Sequence, residues 1–148
     1  MKNTRPYLNT IIALVFIWIG FVGAISFMEA WLKFQAPNIT TELGLGIGQL
    51  VFNALNRVEI TIALLLVGLL LVRWMKGLKS SCFYLMTPLI ILLLQTFWLL
   101  PRLDERADLI IQHIEVSKSY LHFYYVLLEI LKVLFLVLFG KRMLNTKN

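Results

Sequence analysis

The sequence predicts an all-α, four-helix transmembrane bundle with N-terminus and C-terminus cytoplasmic, and three observations predict it. The chain of 148 residues is 59% hydrophobic, against roughly 45–50% for an ordinary soluble domain. Its apolar residues gather into four runs, each near the about 20 residues that a helix needs to cross a hydrocarbon core roughly 30 Å thick. The lysines and arginines fall mostly between and beyond those runs, which is how membrane topology is encoded. One membrane domain accounts for the whole length, since about 100–200 residues is one domain's worth.

The first span is expected from Leu8 to Leu32. Its basic start, Lys2 and Arg5, resembles a secretion signal, but the apolar run continues through FVGAISFMEAWL. That is longer than a signal's apolar core, so an uncleaved helix is expected. Gly20 and Ala24 form a small-xxx-small pair that would let a neighbouring helix approach. The second span is expected from Gly48 to Val72. The preceding GLGIG, with Gly44, Gly46 and Gly48, lacks the strand before it and the lysine after it that a phosphate loop needs, and reads as a flexible lead-in. The third span runs from Ser81 to Leu100, with Pro88 expected to kink it and Pro101 to end it. The fourth runs from Ser119 to Phe139, where Gly140 and the basic tail KRMLNTKN supply a stop.

Orientation follows from the charges outside the spans. Lys2 and Arg5 precede the first, Arg73, Lys76 and Lys79 fill the second connection, and Lys141, Arg142 and Lys147 follow the fourth. The first connection has only Lys33, and the third interleaves Arg102, Arg106 and Lys118 with Asp104, Glu105, Asp108 and Glu115. Both termini therefore face the cytoplasm, and the cell's inner membrane is the expected location. Trp31, Phe34, Trp98 and Tyr120 near the outer ends, and Tyr7, Trp74 and Phe83 near the inner ones, fit interfacial aromatic belts. The net charge of +6 is thus accounted for by topology. Nucleic acid is not an expected partner, because the basic residues form no single surface.

The candidate site comes from polar residues inside the spans. Alternating the helices places Glu29, Asn53, Asn56, Arg57, Glu59, Gln95 and His122 in the outer half of the bilayer and Glu129 near its middle. Gln49, Asn53, Asn56 and Arg57 share roughly one third of the second helix's circumference. Arg57 and Glu59, two positions apart, point to different sides. Arg57 must therefore reach outward or meet Glu29 or Glu129. Glu115, His122 and Glu129 recur every seven residues with Tyr125 beside them, forming a column if the fourth helix reaches back to Glu115. Intramembrane ionisable groups face protein or water rather than lipid.

Cys82 is the only cysteine, so neither an intrachain disulfide nor a dithiol motif can form. His113 and His122 lie nine residues apart and point to opposite sides of a shared helix. Haem ligation by that pair is therefore not expected. A metal ion held by His122, Glu59 and Glu129 is a candidate, without a close-spaced ligand motif behind it. Asn38-Ile39-Thr40 is a glycosylation sequon, relevant only in a secretory pathway.

The order WIGFVGAISFMEAWLKFQAP, GQLVFNALNRVEI, LQTFWLLPRLDER and KSYLHFYYVLLEILKVL resembles the TMEM205-like family of small four-helix membrane proteins. The resemblance spans nearly the whole chain. Its most specific parts are the Trp-x-Gly at Trp18, the Pro-Arg at Pro101 and Arg102, and His122 at the start of the fourth span. It implies an integral membrane protein, with a family link to metal-drug resistance and a distant similarity to copper-resistance membrane proteins.

Two functions are compatible with these residues. One is binding or transport of a cation, metal complex or small polar solute by the outer polar cluster. The other is an accessory or scaffolding subunit, in which the cluster holds the bundle together and a lipid-facing surface docks a partner. Beyond the lipid bilayer, a homodimer or larger membrane complex is the expected partner. No nucleophile or electron carrier is positioned, so an enzyme is not expected. A reporter fused after Asn148 should be active only when it reads the cytoplasm. An externally active fusion would reverse the topology.

Overall fold

The computed structural model describes residues 5–75 and 83–146. Among these, four helices are long and apolar enough to cross a membrane: α1 Pro6–Gln35, α2 Thr41–Met75, α3 Phe83–Ile111 and α4 Leu121–Asn145. Ser81, at the expected start of the third span, lies outside the described residues, as do Cys82 and the basic residues Lys2, Lys76, Lys79 and Lys147.

The helices pack in a ring that follows chain order, α1 on α2 and α4, and α3 on α4 and the first part of α2. Each helix turns one stripe inward at three- and four-residue spacing. Leu8, Ile11, Val15, Trp18 and Val22 do so on α1, and Leu136, Phe139 and Met143 on α4. The opposite faces carry large exposed apolar side chains, among them Leu64, Phe97, Phe123 and Leu127. A water-soluble domain would not leave such faces bare around its whole circumference. Against hydrocarbon they carry no penalty, and the helices satisfy their own backbone groups.

The helices exceed the expected spans, for local reasons. α2 begins at Thr41 rather than Gly48, because Thr40 caps it: its Oγ1 accepts the Leu43 N–H at 3.2 Å. Gly44, Gly46 and Gly48 are therefore helical instead of a flexible lead-in. Two of them have a packing role. A Cβ on Gly44 would overlap the Phe34 ring, and one on Gly48 would stand 3.3 Å from Lys33 Nζ. The end of α1 thus lies across a bare strip of α2.

Pro101 does not end α3. The turn before it, Gln95–Leu99, is π-helical, and the Leu100 N–H donates to the Gln95 carbonyl. A widened turn absorbs the donor that proline lacks and the bulk of its ring, so the helix continues to Ile111. It stops in paired bonds, Ile114 N–H to Leu109 O at 2.9 Å and His113 N–H to Ile110 O at 3.0 Å. His113 there takes a left-handed φ of 58°. This is the Schellman arrangement with histidine at the position usually given to glycine. α4 starts only at Leu121, which leaves Glu115 exposed in the connection. The seven-residue column therefore keeps His122 and Glu129 and loses Glu115.

Gly20 and Ala24 are exposed, and nothing lies within 4 Å of a Cβ built on Gly20. They do not mediate a contact between helices of this chain. The close approach is made elsewhere, at Gly140, where a Cβ would stand 3.3 Å from Val15. Gly44→Ala should therefore lower stability by about 1–3 kcal/mol, the usual effect of overpacking. Gly20→Ala should leave it unchanged or slightly raised. Thermal unfolding of the two variants in one detergent compares them directly.

Candidate functional site

The centre of the bundle holds a charged cluster to which every helix contributes. Lys132 on α4 is 0% exposed, as are Glu129 and Gln95, and Glu59 on α2 is 1% exposed. The Lys132 ammonium pairs with Glu59 Oε1, lies 3.2 Å from Glu129 Oε1 and donates to Gln95 Oε1 at 2.8 Å. Its three N–H donors are thereby all used. Gln95 Nε2 in turn donates to Glu129 Oε1 at 3.1 Å. From α1 the buried Trp18 indole N–H donates to Glu59 Oε1 at 2.7 Å. Both Oε1 atoms are thus saturated with donors, while Glu59 Oε2 and Glu129 Oε2 have no hydrogen-bond partner among the described residues.

A neutral and acidic layer lies between this cluster and the end that carries the first and third connections. Asn56 Nδ2 donates to Thr96 Oγ1 at 2.8 Å. One turn further, Asn53 Nδ2 donates to Asp104 Oδ2 at 2.9 Å and Gln49 Nε2 to Asp108 Oδ1 at 2.8 Å. Continuation of α3 past Pro101 is what brings those aspartates alongside α2. Glu29 pairs with Lys33 at 3.2 Å, and the Lys33 ammonium stands 5.5 Å and 5.4 Å from the ring centres of Phe34 and Phe52.

Within this layer is a cavity of about 300 Å³. Phe34, Phe52, Leu100 and Leu103 give it apolar walls, and Lys33, Gln49, Asp104 and His122 bring polar groups to them. Tyr125 also lines it, set edge-on to Phe52 at 5.4 Å between ring centres. Glu129 follows Tyr125 by one helical turn. The cavity and the charged cluster therefore adjoin through Tyr125.

The structure distributes the sequence-predicted residues over three settings. Glu59, Gln95 and Glu129 form the charged cluster with Lys132. Asn53, Asn56, Glu29, His122 and Tyr125 belong to the layer and cavity beyond it. Arg57 joins neither: it is exposed, and among the described residues no carboxylate pairs with it. Two positions from the inward-facing Glu59, it occupies a face turned away from the core. His122 does not meet Glu59 and Glu129 as a ligand set, since it lies two turns, about 10 Å, along α4 from Glu129. No group of three His, Cys, Asp or Glu side chains able to hold a metal ion occurs among the described residues.

Sequence reasoning missed Lys132, Trp18, Thr96, Lys33, Asp104 and Asp108 as site residues. A signal existed for Lys132, which follows Glu129 by three positions within an otherwise apolar helix. Trp18 was signalled as well: a tryptophan in mid-span, away from an interface, needs an acceptor for its indole N–H. Comparison with protein-family models, curated proteins and solved structures yields no match to this chain.

Removing Lys132 leaves the two buried acids without a counter-charge. Lys132→Met should therefore destabilise the bundle by about 3–5 kcal/mol. Adding Glu59→Gln and Glu129→Gln to that variant should recover much of the loss, because a neutral cluster needs no counter-charge. Unfolding in mild detergent, read by helical circular dichroism, measures both effects. Simple additivity of the three changes would mean that the charges act independently.

Proposed function

We propose that the chain is a multi-pass protein of the cell's inner membrane that binds a small cation in the cavity at its outer end and moves it across the bilayer. The cavity carries this reading. Its apolar walls with a few converging polar groups have the general form of a small-molecule site, and its volume reaches the lower end of the usual range. Its charges favour a positive occupant. Asp104 and Lys33 in its wall are balanced in charge, and Glu29, which pairs with Lys33 from outside the wall, adds a second carboxylate. Phe34 and Phe52, which already face the Lys33 ammonium, suit an organic cation as well. The bias of lysine and arginine toward the termini and second connection supports an outward-facing cavity. The TMEM205-like resemblance is part of the proposal, resting on the motifs around Trp18, Pro101 and His122.

The second reading, an accessory subunit, is favoured by one observation. α1 presents Gly20 and Gly23 on its surface with nothing within 4 Å, a strip that a helix of another chain would fit.

Thermal-shift titration of the purified protein with sodium, copper(II), guanidinium and tetramethylammonium decides between the two. At least one cation should raise the melting temperature saturably, and Asp104→Asn should weaken its binding about tenfold, or about 1.4 kcal/mol. No shift with any of the four, from a protein that purifies as a defined complex with another membrane chain, would overturn the cation reading in favour of the accessory one.

A further inference from the structure

The charged cluster has an unbalanced charge. Glu59 and Glu129 are two carboxylates, Lys132 is one ammonium, and all three are at most 1% exposed. With both carboxylates ionised the cluster carries a net negative charge inside a membrane-spanning bundle. An uncompensated buried charge of this kind is far more costly than a neutral group. The hydrogen bonds point the same way. Lys132, Gln95 and Trp18 direct their donors to the two Oε1 atoms or to Gln95 Oε1. Each carboxylate keeps one bare buried oxygen, Glu59 Oε2 and Glu129 Oε2.

We infer that this cluster is a proton-binding site, holding one exchangeable proton on the bare oxygen of Glu129, the acid that Lys132 pairs with less closely. The step is the addition of a proton to a carboxylate oxygen, giving a neutral carboxylic acid beside a Lys132–carboxylate ion pair. Net charge in the core becomes zero. A calcium or magnesium ion would suit the site less well, since such ions take about six or more oxygen ligands and the two carboxylates offer one bare oxygen each. The groups facing the cluster are few. α1 offers Trp18, α2 Asn56, α3 Gln95 and Thr96, and α4 Tyr125. Of these only Tyr125 is titratable, and it also lines the cavity. Tyr125 thus stands between the cluster and the cavity. The inference stands apart from the cation reading, because it concerns the empty protein.

Infrared spectroscopy of the protein in lipid nanodiscs tests it through the carbonyl stretch of an un-ionised carboxylic acid, identified by its shift in deuterated buffer. In sodium-free buffer at neutral pH the wild type should show one such acid beyond those of surface carboxyls. Glu59→Gln and Glu129→Gln should each abolish it, since either change leaves one carboxylate to pair, ionised, with Lys132. A purely structural ion-pair cluster predicts no acid band in the wild type. Absence of the band, its persistence in both variants, or its replacement by a sodium-dependent rise in stability would overturn the inference. The wild-type spectrum decides even if a variant fails to fold, and binding of cations in the cavity has no bearing on the outcome.

Discussion

The Lys132 ammonium is the interaction on which the arrangement of the bundle depends. Its three hydrogen bonds end on α2, α3 and its own helix, and the Glu59 oxygen it meets also accepts from Trp18 on α1. A charge at that depth has no water to fall back on, so every helix must arrive in the one register that supplies its partner. Apolar packing alone is a weaker guide in lipid than in water, because hydrocarbon tails are as apolar as leucine. Register here is set by polar contacts at the centre and by bare glycine surfaces at the ends, Gly44 under Phe34 and Gly140 beside Val15.

The same constraint accounts for the shape of α3. Gln95 must face the cluster, and the chain must still deliver Asp104 and Asp108 to α2 on the far side of Pro101. A regular helix would meet the proline with a missing bond and a clash. The π-helical turn starting at Gln95 relieves both and rotates the remainder of α3, so that Leu99 and Leu100 are each buried. One local widening thus serves the charged cluster on one side of it and the aspartate layer on the other.

Much of the fold was legible in the sequence, because length and apolarity are summed over many residues. Four runs near membrane thickness predict four helices, and among the described residues four could cross. The misjudged boundaries at Gly48, Pro101 and Gly140, which lies inside α4 rather than ending it, share a cause. Glycine and proline act as breakers in isolation, whereas here tertiary contacts decide. Phe34 needs Gly44 bare, and a π turn accommodates Pro101. Pairing within the site was less legible. Helical phase separates Arg57 from Glu59 by simple geometry, and the two indeed face apart. That Glu59 would meet Lys132 rather than Arg57 depends on how α2 and α4 are rotated against each other. No single-helix pattern carries that information.

A cluster that merely fastened helices together would be expected to use every polar atom it buries, since each one left bare weakens the fastening. The inner hydrogen-bond layer, Asn56 with Thr96, behaves in that way, and so does the Asn53–Asp104 pair beyond it. The Glu59–Lys132–Glu129 cluster departs from it, crowding its donors onto one oxygen of each carboxylate and leaving the other bare. A glutamine in place of either glutamate would remove the excess charge while keeping an acceptor for Lys132. Retaining two acids around one base is a poor solution for stability alone. It becomes a sensible one where the second acid has a proton to hold.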